Sequence, residues 1–224
     1  MKIQGKLVSK ILGLDSSAIA ASCAVVEGGR VLASGFVNMK ITHSQTLMPL
    51  VESTLKCAGL TLTDIDGFAV SNGPGSFTGL RIAVSAVKGM AFATGKPVCG
   101  VSTLESLAYN LIGRDCVACC VMDARRGEVY NALFEVSGEN IARLTEDRAI
   151  SIEELQAELA QYSNVISVGD GAHLVSAGNL AYEITRWQSA VSVCLASQDF
   201  TSAKELMPVY IRLPQAERER IEKS

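Results

Sequence analysis

Two carboxylates stand where chemistry could be done. Asp15 ends a short apolar run, Ile11–Leu14, and is followed by Ser16 and Ser17. Asp123 ends a second run, Cys116–Met122, and opens the polar turn Ala124-Arg125-Arg126-Gly127-Glu128. A carboxylate at a strand end could hold hydrated Mg²⁺ beside a nucleotide. Asp-Ser-Ser is equally ordinary turn chemistry, because short polar side chains bond the backbone two residues on. If the two runs faced one another, Asp15, Ser16 and Asp123 would share a possible nucleotide cleft. Spacing alone leaves that open.

The loop Gly73-Pro74-Gly75-Ser76-Phe77-Thr78-Gly79 ends an apolar strand at 65–70 and opens directly into a helix. A glycine loop at a helix N-terminus can bind phosphate through its N–H groups. This one lacks the G-x-x-x-x-G-K-[ST] pattern and the G-x-G-x-x-G spacing, and Pro74 removes a donor. A structural turn or interaction loop is the weightier reading. Ser76 as a nucleophile would need G-x-S-x-G, and residue 74 is Pro. The chain has two histidines, His43 and His173, to serve as its base. Cys116, Cys119 and Cys120 contain C-x-x-C, but residues three apart on a strand point to opposite faces. They read as small buried hydrophobes. His43 starts a helix with Thr46 and Leu47 one turn on, so it lacks a second metal ligand there.

These residues are carried by a chain of 224 residues, long enough for one large domain or two small ones. It is 48% apolar with a net charge of −3. A protein that grips nucleic acid alone usually shows a basic stripe, and none is visible, so any RNA role would be indirect. Seven cysteines, an odd number, fit reduced thiols better than a disulfide framework. With no secretory segment and no long apolar span, a cytoplasmic chain without a membrane partner is expected.

The order of elements partly repeats. A strand at 11–14 and a hairpin at 22–38, turning at Gly28-Gly29, precede a helix at 43–57. A strand, the glycine loop, the apolar helix and a strand at 98–101 follow. Ser102 to Glu105 is a capping-box signature. Then come a hairpin at 116–136, a second capping box at Ser151–Glu154, a strand at 165–168 and a helical region near 188–199. This order predicts two α/β domains, 1–112 and 113–224, with a tail at 207–213 that returns to the first. Residues 1–10 read as an extension or an extra edge strand. In the helix after the glycine loop, Arg81, Ser85 and Lys88 form one thin polar stripe. The rest is apolar, which predicts burial nearly all round and a partner to complete it.

Across residues 11 to about 217 the chain resembles the TsaB (YeaZ) family of tRNA threonylcarbamoyladenosine biosynthesis. The specific matches are Gly73–Ile82, Lys88-Gly89 and Gly100–Leu104. Supporting ones are Ile11–Ser16, His43 with Leu47 and Pro49, Met122–Arg125, Gly127–Tyr130, Pro208–Arg212 and Ala216-Glu217. The resemblance implies an actin-like (ASKHA) α/β fold, two domains each with a mixed sheet flanked by helices. It implies a non-catalytic scaffold that binds TsaD, the catalytic paralogue, as a heterodimer, with TsaE in a larger complex. That complex transfers threonylcarbamoyl to N6 of the adenosine beside the anticodon in tRNAs reading A-starting codons. TsaD's helical metal pair would fall at His43 and residue 47, and residue 47 is Leu.

The family's interaction helices map onto 43–57 and 78–94. The expected partner-facing residues are therefore His43, Leu47, Met48, Val51, Arg81, Val84, Ser85, Lys88 and Phe92. A homodimer through the same helices is expected when the chain is alone. No tightly bound cofactor is expected, with ATP and Mg²⁺ held weakly or at the partner interface. The rival reading is a stand-alone actin-like ATPase or sugar kinase. It needs phosphate loops, for which Gly169-Asp170-Gly171 is the one glycine pair available in the second half.

Overall fold

A computed structural model describes residues 2–3, 6–7 and 9–212. The expectations for Leu213 and for the matched Ala216-Glu217 lie outside the described residues. Lys2–Ile3 and Lys6–Leu7 pair antiparallel as a ribbon of their own, not as an edge of either main sheet.

The first sheet has five strands: β1 (Lys10–Asp15), β2 (Ala21–Glu27), β3 (Arg30–Val37), β4 (Gly67–Gly73) and β5 (Val98–Ser102). Their spatial order is β3-β2-β1-β4-β5. The β1–β3 meander is antiparallel, and β4 and β5 join in parallel. Gly28 and Gly29 turn the β2–β3 hairpin with φ of 55° and 85°, the two positive values that a type I′ turn requires. Along β1 the side chains alternate. Leu12 and Leu14 enter the core beneath α1 (His43–Ala58) and α2 (Phe77–Thr94), while Ile11 faces the other side. Gly59, with φ of 67°, closes α1: its own N–H bonds the Lys56 carbonyl and that of Leu60 bonds Leu55.

The second sheet repeats the plan. β6 (Arg114–Arg125) and β7 (Glu128–Gly138) form a long hairpin. β8 (Asn140–Arg143) and β9 (Arg148–Ser151) both pair with β7. β10 (Val165–Val168) joins β6 in parallel, and β11 (Asn179–Leu180) joins β10. Helix α3 (Thr103–Ala108) covers one face and α4 (Ile152–Leu159) the other. The capping box at Ser151 and Glu154 is complete. At α3 only half forms: Ser102 accepts from the Glu105 N–H, and the Glu105 carboxylate pairs with Arg143 instead. Two mixed sheets, each a hairpin extended by parallel strands and flanked by helices, make this an α/β actin-like fold.

The chain comes back to the first sheet earlier than the tail. After the short α5 (Glu183–Arg186), helix α6 (Ala190–Ala196) packs on the face of β1 and β2 opposite α1. Gly13 permits this. A Cβ there would lie 2.6 Å from the Ala190 carbonyl oxygen and would overlap the Cys194 sulfur. The expected unit 113–224 thus gives residues 190–206 to the first sheet.

α2 is covered more fully by its own chain than its composition suggests. Leu80, Ala83, Val84, Val87, Met90 and Ala91 are all buried. Burying each large aliphatic side chain stabilises by roughly 1.5–3 kcal/mol. Its outer face carries Arg81, Ser85, Gly89 and Phe92, the last 60% exposed. Among the described residues no helix is long and apolar enough to cross a membrane.

Candidate functional site

A cavity of about 690 Å³ lies between the two sheets. One wall is the Ser17–Ile19 loop with Pro74–Phe77; the other is Met122–Arg125 with Asp170 and His173. Arg186 and Trp187 complete the inner end, and Val209–Arg212 run along it.

The structure separates the two carboxylates whose sharing of one cleft the spacing left open. Asp123 lines the cavity, and its Oδ1 accepts from the Arg125 N–H at 2.7 Å. Asp15 and Ser16 are fully buried and do not line it. Asp15 Oδ1 accepts from the Ser17 N–H and hydroxyl, both at 2.9 Å. Its Oδ2 has no hydrogen-bond partner among the described residues. Burial pushes the Asp15 carboxyl above the ordinary carboxylate range, against the weaker lowering by the nearby Ser71 hydroxyl, the Ser17 donors and His43. The carboxylate that accompanies Asp123 is Asp170, which accepts from Gln188 Nε2 at 2.6 Å and is likewise raised by burial.

The glycine loop is closed onto the loop after β1. The Ser76 N–H bonds the Ser17 carbonyl at 2.6 Å, and the Ser16 hydroxyl donates to the Gly79 carbonyl at 2.9 Å. Ser76 is the N-cap of α2 and accepts from the Gly79 N–H. A Cβ at Gly79 would collide with the Ser16 carbonyl, and one at Gly75 would lie 2.5 Å from that of Ser17. The Ser76 and Gly79 N–H groups, and the space beside Gly75 and Gly79, are thus taken by the chain itself. Gly169 and Gly171 do the same work in the second half. A Cβ on Gly169 would meet the Val121 carbonyl, and one on Gly171 would lie 2.7 Å from the Asp123 nitrogen.

His43 belongs to this clamp: its Nε2 lies 2.7 Å from the Ala18 carbonyl. Ser76 and His173 line opposite walls, and no Ser–His bond forms among the described residues. Nor is any group of three His, Cys, Asp or Glu side chains placed to hold a metal ion among them. Cys116 and Cys120 face one core and Cys119 the other, so the C-x-x-C pair is split by the pleat.

Of the partner-facing set, Met48, Arg81, Ser85 and Phe92 are exposed. Leu47, Val51 and Val84 are 1%, 2% and 4% exposed and belong to the chain's own core. They cannot form a surface, because the first sheet, β4 chiefly for α2, takes the same faces of α1 and α2. Lys88 is engaged by its own chain, donating to the Leu206 carbonyl at 3.0 Å. The sequence singled out His173 only as a base and Asp170 only within the Gly169–Gly171 turn that ends β10, and it gave Arg186 and Trp187 no role.

The comparisons agree with this architecture. A family model described as "TsaD: tRNA N6-adenosine threonylcarbamoyltransferase" matches residues 37–218. The Escherichia coli (strain K12) tRNA threonylcarbamoyladenosine biosynthesis protein TsaB is 34% identical over 166 residues, 72% of this chain and 71% of that protein. The chain belongs to the TsaB (YeaZ) family. The TsaB of Bacillus subtilis (strain 168) is 32% identical over 144 residues, 64% of this chain. That alignment spans 63% of the Bacillus protein's length. The structure of YeaZ from Pseudomonas aeruginosa superposes with a TM-score of 0.78 at 27% identity, covering 90% of this chain and 99% of that one. The clamp described above thus lies in a TsaB-family chain, with Leu47 at the position discussed for a second metal ligand.

Proposed function

We propose that this chain is a non-catalytic scaffold in threonylcarbamoylation of tRNA adenosine, where it binds the catalytic paralogue TsaD. One observation carries the reading. The loop that would cradle a phosphate is bonded to Ser16 and Ser17, and Asp15 is sealed behind it. The lack of a Ser–His pair among the described residues supports the same reading. TsaD then supplies the metal and the chemistry, and tRNA is met through the complex.

The docking surface is the exposed side of α1 and α2. Met48, 45% exposed, and Phe92 are its apolar contacts, and Arg81 and Ser85 its polar ones. Without TsaD, a second copy covers the same surface. Any ATP and Mg²⁺ are held weakly or at the partner interface, and TsaE takes part in the larger complex.

The test is reconstitution of tRNA modification from TsaD, TsaE and a source of threonylcarbamoyl-adenylate, with and without this chain. Modification that depends on the chain, while the chain alone leaves ATP intact, is the expected result. ATP turnover by the pure chain, lost in Asp123→Ala, would favour the ATPase reading.

A further inference from the structure

The last described segment, Leu206–Arg212, crosses from one sheet's territory to the other's along the cavity. Lys88 Nζ holds the Leu206 carbonyl, and Asn72 Nδ2 donates to the Met207 carbonyl at 3.3 Å. The Val209 N–H returns a 2.7 Å bond to the Asn72 carbonyl. Gly73, at φ of 138°, has no side chain where the Val209 carbonyl passes; a Cβ there would collide with it. Tyr210 packs on Phe77 with ring centroids 5.0 Å apart, and the Arg81 guanidinium lies 4.6 Å from the same ring. All these contacts are to β4, α2 and the glycine loop of the first unit.

The next contact is to the other unit. Arg212 donates to Glu128, the first residue of β7. Between Tyr210 and Arg212 the chain therefore bridges the cavity, and Val209–Arg212 all line it. Elsewhere the units are joined at α3, where Glu105 and Ser102 bond Arg143 and Asp147, and at the crossing before α6, where Gln188 bonds Asp170 and the Ala190 N–H bonds the Ser22 hydroxyl. That leaves two attachments on the inner side and a closure at the cavity.

We propose that Leu206–Arg212 is a strap that latches the two units closed over the cavity, with Arg212–Glu128 as its catch. Releasing the catch frees the second unit to swing about α3 and the crossing before α6 while the strap stays on the first. The asymmetry of the anchoring gives this order. Three hydrogen bonds and a ring contact hold 206–210 to one side, and among the described residues the ion pair of Arg212 holds the strap to the other. Arg212 and Glu128 side chains are 18% and 36% exposed, so water and salt reach the catch. The inference does not depend on the scaffold reading.

Amide hydrogen exchange on the full chain tests it, compared across wild type, Arg212→Glu and the swap Glu128→Arg with Arg212→Glu. Arg212→Glu is expected to speed exchange at 74–80 and 121–126 at least threefold and leave Leu12–Leu14 unchanged. The swap should bring the cavity amides back to wild-type rates. Tyr210→Ala, which loosens the strap without altering the catch, should also raise exchange at 121–126. Unchanged cavity amides in Arg212→Glu would overturn the proposal. So would a rise spread equally through Leu12–Leu14, or a swap that fails to restore protection.

Discussion

Lys88 Nζ donates a 3.0 Å hydrogen bond to the carbonyl of Leu206, 118 residues further along the chain. The stripe of polar residues on α2 was expected to lie at a partner seam. At Lys88 it instead ties the helix to the returning chain, whose Leu206 side chain is buried in the first core. Lys88→Met keeps the aliphatic stem and leaves that carbonyl without its charged donor. A loss of about 1 kcal/mol is expected, since the lysine is half-buried and water can replace it in part. Urea unfolding reads this directly; an unchanged midpoint would mean that the bond contributes nothing net.

Gly79 is required for space rather than for a backbone angle. It sits inside α2, and a methyl group there would strike the Ser16 carbonyl. Gly79→Ala should therefore destabilise by about 1–3 kcal/mol, although alanine is the better helix former. Gly89, on the outer face with open space around it, is the control. Gly89→Ala should stabilise by up to about 1 kcal/mol. Thermal melts of the pair discriminate, and equal effects would contradict the close packing of the clamp.

What the sequence made legible was local. Gly28-Gly29 predicts its hairpin because only positive φ fits the turn, and Ser151 with Glu154 predicts its cap because both partners are three residues apart. The glycine loop's burden could be weighed from its missing donors. Long-range matters were hidden. Nothing near Val84 says whether it faces the first sheet or a partner, since α2 is apolar almost all round. Gly13 does not announce that a helix from residue 190 will lie on it. Asp170 and Tyr210 reach the cavity through tertiary placement, and their neighbours in sequence carry no trace of Asp123 or Phe77.

Cys57 is exposed on α1, and the six other cysteines are buried. Burial pushes the Cys23 and Cys119 thiols up to about 12, so neither supplies thiolate at neutral pH. One thiol per chain should react rapidly with a disulfide reagent at pH 8, and the rest only on unfolding. Cys57→Ser should abolish the fast phase. A second fast thiol in that variant would show that a core opens under native conditions.

The raised Asp15 carboxyl sets a direction of pH dependence. Its folded pKa lies above the unfolded value, so the folded state binds the proton more tightly. Its contribution to stability is present in full below the unfolded value of 3.8 and is lost as pH rises through the folded one. Asp170 acts in the same sense. Asp15→Asn keeps an oxygen for the Ser17 donors and removes the buried charge. It should gain stability relative to wild type at pH 7 and lose that gain toward pH 4. Chemical denaturation at several pH values measures the difference, and a variant weaker at pH 7 than at pH 4, each against wild type, would reverse the assignment.

Two substitutions on α2 separate fold from interface. Val84 is 4% exposed and lies in the first core, whereas Phe92, two turns on, is 60% exposed. Val84→Glu places a carboxylate in the first core, and should cost on the order of 3 kcal/mol or more. Phe92→Glu meets water, and should leave the melt within about 0.5 kcal/mol of wild type. If α1 and α2 carry the docking surface, Phe92→Glu alone should shift the chain from dimer to monomer in sedimentation and lower capture by TsaD at least tenfold. Met48→Glu, on the exposed side of α1, should do the same, because a partner spanning both helices must desolvate either charge. If both folded variants remain dimeric and bind TsaD like wild type, the surface that joins the partner lies off these helices.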